Sequence, residues 1–200
     1  MGTGQNGSFD IIPDLKQWAL MTTITKAEMA SLDDGLNLEM IYGKFVAGWM
    51  RFWHCEVYQI ILEPREGHGT WDGHAVFGKL NDRRMAAGVP IAVLTRATIR
   101  LNRLKHFWRH VAPVSEKMNT ADGFIFSIGI GELPWIKQAT FSVWQHKEAM
   151  QQFAYKLKEH KEVIEKTRSE KWYSEDMFVR FVIVSTSGTL KGCNPLSSIL

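Results

Sequence analysis

The sequence predicts an α+β fold of split βαβ order, and three observations carry that reading. Four segments in the second half alternate like strands. Two helical stretches separate them in the order β-α-β-β-α-β, and part of the pattern recurs in the first half at a constant offset. Length and composition agree with it. The 200 residues, 45% hydrophobic and 22% charged, suit a globular chain of one domain or two small pseudo-repeats sharing a core.

The strands of the second half are IAVLTRATIR (91–100), FIFSIGIG (124–131), ATFSVW (139–144) and MFVRFVIV (177–184). The first two flank the helical stretch RLKHFWRHVAPVSEKM, and the last two flank a long helix from about Lys147 to Lys171. Together they make one complete ferredoxin-like unit.

The first half repeats part of this unit. Pro13, Lys16, Gln17, Lys26, Met29 and Leu36 match Pro134, Lys137, Gln138, Lys147, Met150 and Leu157, each at an offset of 121. The same offset lays the predicted strand VYQIIL (57–62) on FVRFVI (178–183) and aligns WALMTT (18–23) with the ATFSVW strand. The domain reading is therefore an N-terminally incomplete first half (1–64), a Gly-punctuated linker (65–90), a complete second half (91–184) and a loose tail (185–200).

Several function classes are excluded by composition. A net charge of +3 with scattered Lys and Arg argues against nucleic acid, although RLNRLKHFWRH (100–110) interleaves basic and aromatic residues. Cys55 and Cys193 offer neither a disulfide framework nor metal spacing, which favours a reducing, cytoplasmic setting. No apolar run approaches a transmembrane helix, and GTGQNG precedes a strand pattern rather than a helix, so it fails the dinucleotide test. Eight tryptophans suit either a large aromatic core or a cavity for a flat or long apolar ligand.

A few residues stand out chemically. His160 falls on the helical stripe of Met150, Phe153, Ala154, Leu157 and Ile164, as a packed core histidine or as an axial metal ligand set among aliphatic side chains. Its repeat partner is Glu39, so the duplication itself did not require histidine there. Arg96 and Arg180 lie within apolar strands. If both faces of the sheet are covered, each needs an anionic partner, because guanidinium does not deprotonate. Ser142 and Thr140 are the small polar groups set to face a cavity, with Trp144, Trp108, Trp135 and Trp172 as candidate lining. His106 and His110, spaced i, i+4, suit a helix face better than a metal, and His68 and His74 flank Trp71 as reserve ligands.

Residues 10 to 184 resemble the spheroidene monooxygenase family of carotenoid biosynthesis. The resemblance rests on GHGTWDGHAVF (67–77), PIAVLTRATIR (90–100), FWRHV (107–111), SIGIGELPWIKQATFSVWQ (127–145), the His160 helix and WYSEDMFVRF (172–181). It implies two ferredoxin-like repeats in a dimeric α/β-barrel-like arrangement. It also implies an enzyme that introduces oxygen at the C2 region of an acyclic carotenoid, using b-type haem iron, dioxygen and a reductant such as reduced ferredoxin. His160 would then be the metal ligand, with Leu157 and Ile164 against the porphyrin and Ser142 and Trp144 lining the cofactor site. Arg96 or Arg180 would stabilise a charged oxygen species. A cytoplasmic protein touching the membrane peripherally through an exposed aromatic patch follows from the apolar substrate.

Against the family pattern, the chain is expected to begin inside its first half, with the missing strands encoded upstream. A 4-1-3-2 sheet lacking its first strand would leave WALMTT and VYQIIL unpaired. The alternatives are a non-enzymatic haem or apolar-ligand binding protein of the same fold, and a cofactor-free small monooxygenase.

Overall fold

The computed structural model describes residues 2–3, 11–25, 27–28, 38–80, 88–133, 135–156, 167 and 169–199. The chain divides into two units: Met1–Ala19 with Ile60–Thr186 and Pro195–Leu200, and Leu20–Gln59 with Ser187–Asn194.

The larger unit is built on a sheet. Its strands are β1 (Gly2–Thr3), β2 (Pro13–Asp14), β3 (Tyr58–Gly69), β4 (Ile91–Ile99), β5 (Phe124–Leu133), β6 (Lys137–Trp144) and β7 (Tyr173–Gly188), in the order β2-β1-β5-β6-β4-β7-β3. Within it, β5-β6-β4-β7 is the 4-1-3-2 order of a ferredoxin-like unit, antiparallel at each interface from β5 to β7. The predicted second-half unit is therefore present. Central strand β4 is buried along almost its whole length, which is why it reads as a nearly continuous apolar run.

Two helices cover one face of this sheet, α2 (Leu104–Asn119) and α3 (Lys147–Lys156). Met118 of α2 and Ala149, Met150 and Phe153 of α3 pack with Ile91, Val93 and Trp144 in one cluster, and Phe107 of α2 packs with Ile99 and Trp172 in another. The turn from α2 into β5 needs Gly123: its φ is +71°, and a Cβ there would stand 2.6 Å from the Cβ of Ala149. His146 precedes α3 as its cap, its Nδ1 accepting the Ala149 N–H at 3.2 Å. Leu157, His160 and Ile164 lie outside the described residues.

Ala92, Leu94, Val143, Met177, Val179 and Phe181 form the core on the other face. Trp71, Phe77 and Leu80 of the segment after β3 pack against it.

The first half departs from expectation in two ways, and the C-terminal segment in a third. WALMTT forms no strand, and Trp18, Leu20 and Met21 are exposed. VYQIIL does become a strand, but β3 continues to Gly69, into the segment read as linker, and it pairs with β7 at the sheet edge. The expected gap between two unpaired strands is therefore not formed. The segment read as a loose tail is anchored, because Leu196 is fully buried in the core of the second face.

In the smaller unit, α1 (Leu38–Phe52) is interrupted at Gly43, where φ is +83°. Glu56 accepts the backbone N–H groups of Lys191 and Gly192, and the Tyr58 hydroxyl donates to Asn194 at 2.9 Å. Phe45, Trp49 and Phe52 stand at i, i+4 and i+7 on α1 with Trp53 just beyond. All four are exposed, Phe45 at 85%.

Leu196→Ala is expected to destabilise the protein by about 2–5 kcal/mol, the usual range for emptying a filled leucine site. A urea melt would read it, and an unchanged midpoint would show that the C-terminal segment does not hold the core.

Candidate functional site

Directly paired residues share a face and successive residues alternate, so the register sorts every candidate. Val93 of β4 lies opposite Ser142 and Arg180, and Ser142 opposite Ser127. Ser127, Ser142, Val93 and Arg180 thus form one row across the helix-covered face. The next row is Gly129, Thr140, Thr95 and Phe178, and after it Gly131, Gln138, Ala97 and Asp176.

In the middle row this face is exposed at Thr95 alone, with Gly129 buried and Thr140 and Phe178 half-buried. On one side Ile91 and Val93 are sealed under α3, and on the other Ile99 is sealed under α2. Between them Thr95 is exposed, although it sits on the central strand. Gly129 contributes no side chain to the row, and Thr140 contributes a short hydroxyl. The alternation in SIGIG explains this: Ile128 and Ile130 point to the opposite face, and the glycines stay on the helix side. Periodicity alone did not single out Thr95 or the glycines, though the Gly-Ile alternation was legible.

Trp144 and Ser142 form the inner wall. The Trp144 indole N–H donates to Ser142 Oγ at 3.0 Å, and its ring packs on Phe153 and Phe124, each at 5.3 Å between centroids. Arg180 flanks the opening from β7. Its Nη1 pairs with Glu66 at 2.8 Å, its guanidinium lies 4.8 Å over the Phe178 ring, and His68 stacks on the same ring at 5.7 Å. The same Glu66 accepts from Lys147 Nζ at 2.6 Å. The Nε of Arg180 is buried and has no hydrogen-bond partner.

Arg96 lies on the other face of the sheet. It is three residues from Val93, so it points to the face opposite the helices, where it is fully buried. Glu132 grips it with both oxygens, at 2.8 and 2.9 Å, Glu175 at 2.8 Å and Asp72 at 2.9 Å, and it lies 4.9 Å over Trp71. Burial pulls its pKa down, but the bonds to Glu132, Glu175 and Asp72 outweigh that and leave it raised. Four donor contacts to three carboxylates leave this guanidinium little capacity for a ligand.

Glu175 is held down to about 2, first by the Thr70 hydroxyl, then by the Gly73 N–H and by Arg96. The Asp72 carboxyl is also lowered, chiefly by Lys137 at 2.7 Å and then by Arg96.

The paired histidines lie against an aromatic ring. His106 and His110 lean on the Trp172 ring at 6.5 and 5.2 Å, and His110 Nδ1 sits 2.7 Å from the His106 carbonyl. Among the described residues, no three His, Cys, Asp or Glu side chains gather as a metal site.

Comparison with known proteins settles the family. The chain is 30% identical over 200 residues to spheroidene monooxygenase of Rhodobacter capsulatus, covering 98% of this chain and 79% of that one. It is 31% identical over 193 residues to the Rubrivivax gelatinosus protein of the same name, covering 96% and 70%. The chain belongs to the spheroidene monooxygenase family. It also matches the Cereibacter sphaeroides member at 30% identity along its whole length, while spanning 59% of that protein. No family-wide sequence profile matches it. Among solved structures it is similar to a variant of SnoaB, a cofactor-independent oxygenase from Streptomyces nogalater. That likeness has 14% identity and a TM-score of 0.41, and covers 51% of this chain and 97% of that one.

The Arg96 network generates an acid-sensitivity test. The folded pKa of Glu175 lies below its ordinary value of 4.5, so its contribution is complete above pH 4.5 and is lost as pH falls towards 2. Glu175→Gln is expected to lower stability at neutral pH and to flatten the acid-melting profile across that window. Parallel wild-type and variant profiles between pH 4.5 and 2 would show that the network does not carry the acid dependence.

Proposed function

We propose that this chain is a haem-dependent monooxygenase that introduces oxygen into an acyclic carotenoid. The observation that carries the reading is the opening at Thr95, on the helix-covered face of a ferredoxin-like sheet, in a member of the spheroidene monooxygenase family. A polyene is long, narrow and apolar. A floor of Gly129, Thr140 and Thr95 between two aromatic clusters suits such a chain, since it supplies room without charge.

The cofactor reading draws on the same face. A haem is a flat apolar ring bearing two anionic carboxylates, and the unpartnered buried N–H of Arg180 beside the opening fits an anion of that kind. His160, in the sequence beyond α3, is the proposed iron ligand, with Leu157 and Ile164 against the ring and Trp144 and Ser142 behind it. When bound, haem supplies the activation of dioxygen, with electrons from a donor such as reduced ferredoxin. The chain's own residues then have simpler tasks. The Trp144, Phe153 and Phe124 cluster excludes water, Thr95 and Thr140 line the substrate side, and Arg180 neutralises negative charge on this face. Arg96 serves as a positioning residue, fixing β4, β5 and β7 from the far side.

The substrate class is membrane-soluble, and none of the described helices is long and apolar enough to cross a bilayer. The proposed contact is therefore peripheral, through Phe45, Trp49, Phe52 and Trp53 of the smaller unit. The protein is expected to float with carotenoid-containing liposomes. Replacing Phe45 and Trp49 by serine should release it, and equal flotation of the variant would remove this face from the contact.

The catalytic reading is tested by an absorption spectrum with oxygen-dependent carotenoid turnover. His160→Gln should keep its circular dichroism and lose or strongly alter the haem band. Thr95→Phe should keep the band and the melting temperature, as an exposed substitution does within about 0.5 kcal/mol, and lose most turnover. A band without turnover in the wild type would favour a haem-binding protein; turnover without a band would favour cofactor-free chemistry. An unchanged spectrum in His160→Gln would make that residue a packed histidine.

A further inference from the structure

Glu66, Lys147 and Arg180 come from three elements, β3, α3 and β7, and meet through one carboxylate. Glu66 accepts Lys147 Nζ on Oε1 at 2.6 Å and faces Arg180 Nη1 with Oε2 at 2.8 Å. All three side chains are largely buried, with exposures of 13% for Glu66, 23% for Lys147 and 12% for Arg180. Two formal positive charges thus stand against one negative. Lys147 is also the first residue of α3, where the helix dipole adds further positive potential. Across the sheet the imbalance has the opposite sign, with Arg96 and Lys137 set against Asp72, Glu132 and Glu175.

The second observation is independent of the charge count. Arg180 Nε is buried without a hydrogen-bond partner, and the ion pair with Glu66 uses Nη1. A buried unsatisfied N–H is disfavoured by about 1–3 kcal/mol, so its persistence asks for an acceptor that the described residues do not provide. Register places Arg180 one row from Thr95, at the edge of the opening.

We propose that Glu66, Lys147 and Arg180 form an oxyanion seat beside the opening. Arg180 takes a ligand carboxylate or phosphate on its Nε side, and Glu66 holds the two cations in place. The seat itself follows from the charge and the orphaned donor; naming the carboxylate as one of haem's rests on the proposed function above.

Two arms of one experiment on the full chain separate these claims. In the first, melting temperature is followed with sodium propionate or inorganic phosphate against chloride at matched ionic strength. The wild type should show a saturable rise with the oxyanion alone. Arg180→Lys keeps the charge but lacks the planar fork, and should lose the rise. Lys147→Met, which removes a cation from the mouth of the seat, should weaken anion affinity about tenfold, the value of one charge-assisted contact. An oxyanion response no greater than that to chloride, or one undiminished in both variants, overturns the seat.

In the second arm, haem and haem dimethyl ester are titrated by absorbance. Wild-type protein should prefer the free acid about tenfold, and Arg180→Lys should bind both alike. Equal wild-type binding of acid and ester, with the first arm positive, supports the seat and assigns its anion to another ligand. If neither porphyrin binds, the haem reading falls, and the first arm still decides the seat.

Discussion

The burial of Arg96 in the central strand is the constraint on which the rest depends. A guanidinium stays charged at any accessible pH, so removing it from water is tolerable only with acceptors already in place. Here they arrive from three directions: Glu132 from β5, Glu175 from β7 and Asp72 from the segment after β3. Glu175 comes from a strand paired directly with β4, and Glu132 from one linked to it through β6. The approach of β3 is equally demanding, since Gly69 has φ +89° and a Cβ there would collide with the Asp176 carbonyl oxygen. Breaking such a cluster by removing one partner typically costs about 3–5 kcal/mol. The network therefore selects one register and also fastens Trp71 over the core of that face.

Fixing the register on one face decides what the other face presents. Thr95 and Arg96 are neighbours in sequence and point to opposite sides, so a slip of one residue would exchange an exposed hydroxyl for a buried charge. Arg96 is fully engaged with acid groups, and Thr95 looks out between two aromatic clusters. A charge-stapled back thus stands behind a front whose Gly129, Thr140 and Thr95 row carries no charge.

Much of this was legible in the residues. The four second-half strands were marked by alternation, and the need of each strand arginine for an anionic partner followed from its apolar surroundings; Glu175 and Glu66 meet it. Which face each arginine takes was not legible, because alternation gives relative sides and only the packing of helices gives absolute ones. WALMTT has the composition of a strand, yet strand propensity without an available edge produces none, and β3 occupies the edge beside β7. β3 itself ran longer than expected because Pro64, Arg65 and Glu66 look like linker chemistry. Glu66 and Arg65 are instead ion-paired in place. Leu196 gave no signal at all, since one buried side chain in a polar tail has no period.

The least conventional feature is Lys147 at the start of α3. A cation there opposes the helix dipole by about 0.3–1 kcal/mol, and the first turn offers only Glu148 as compensation. Glu66 reverses the balance from another strand, and because the same carboxylate faces Arg180, the start of α3 is tied electrostatically to β7. His146 caps the same turn through the Ala149 N–H, so the entry to α3 is held both by a hydrogen bond and by a shared charge. An anion bound at Arg180 would draw on the same charge and would be felt at the beginning of α3. The residues that seat an anion and those that orient the helix are then one set, and neither role can be altered without disturbing the other.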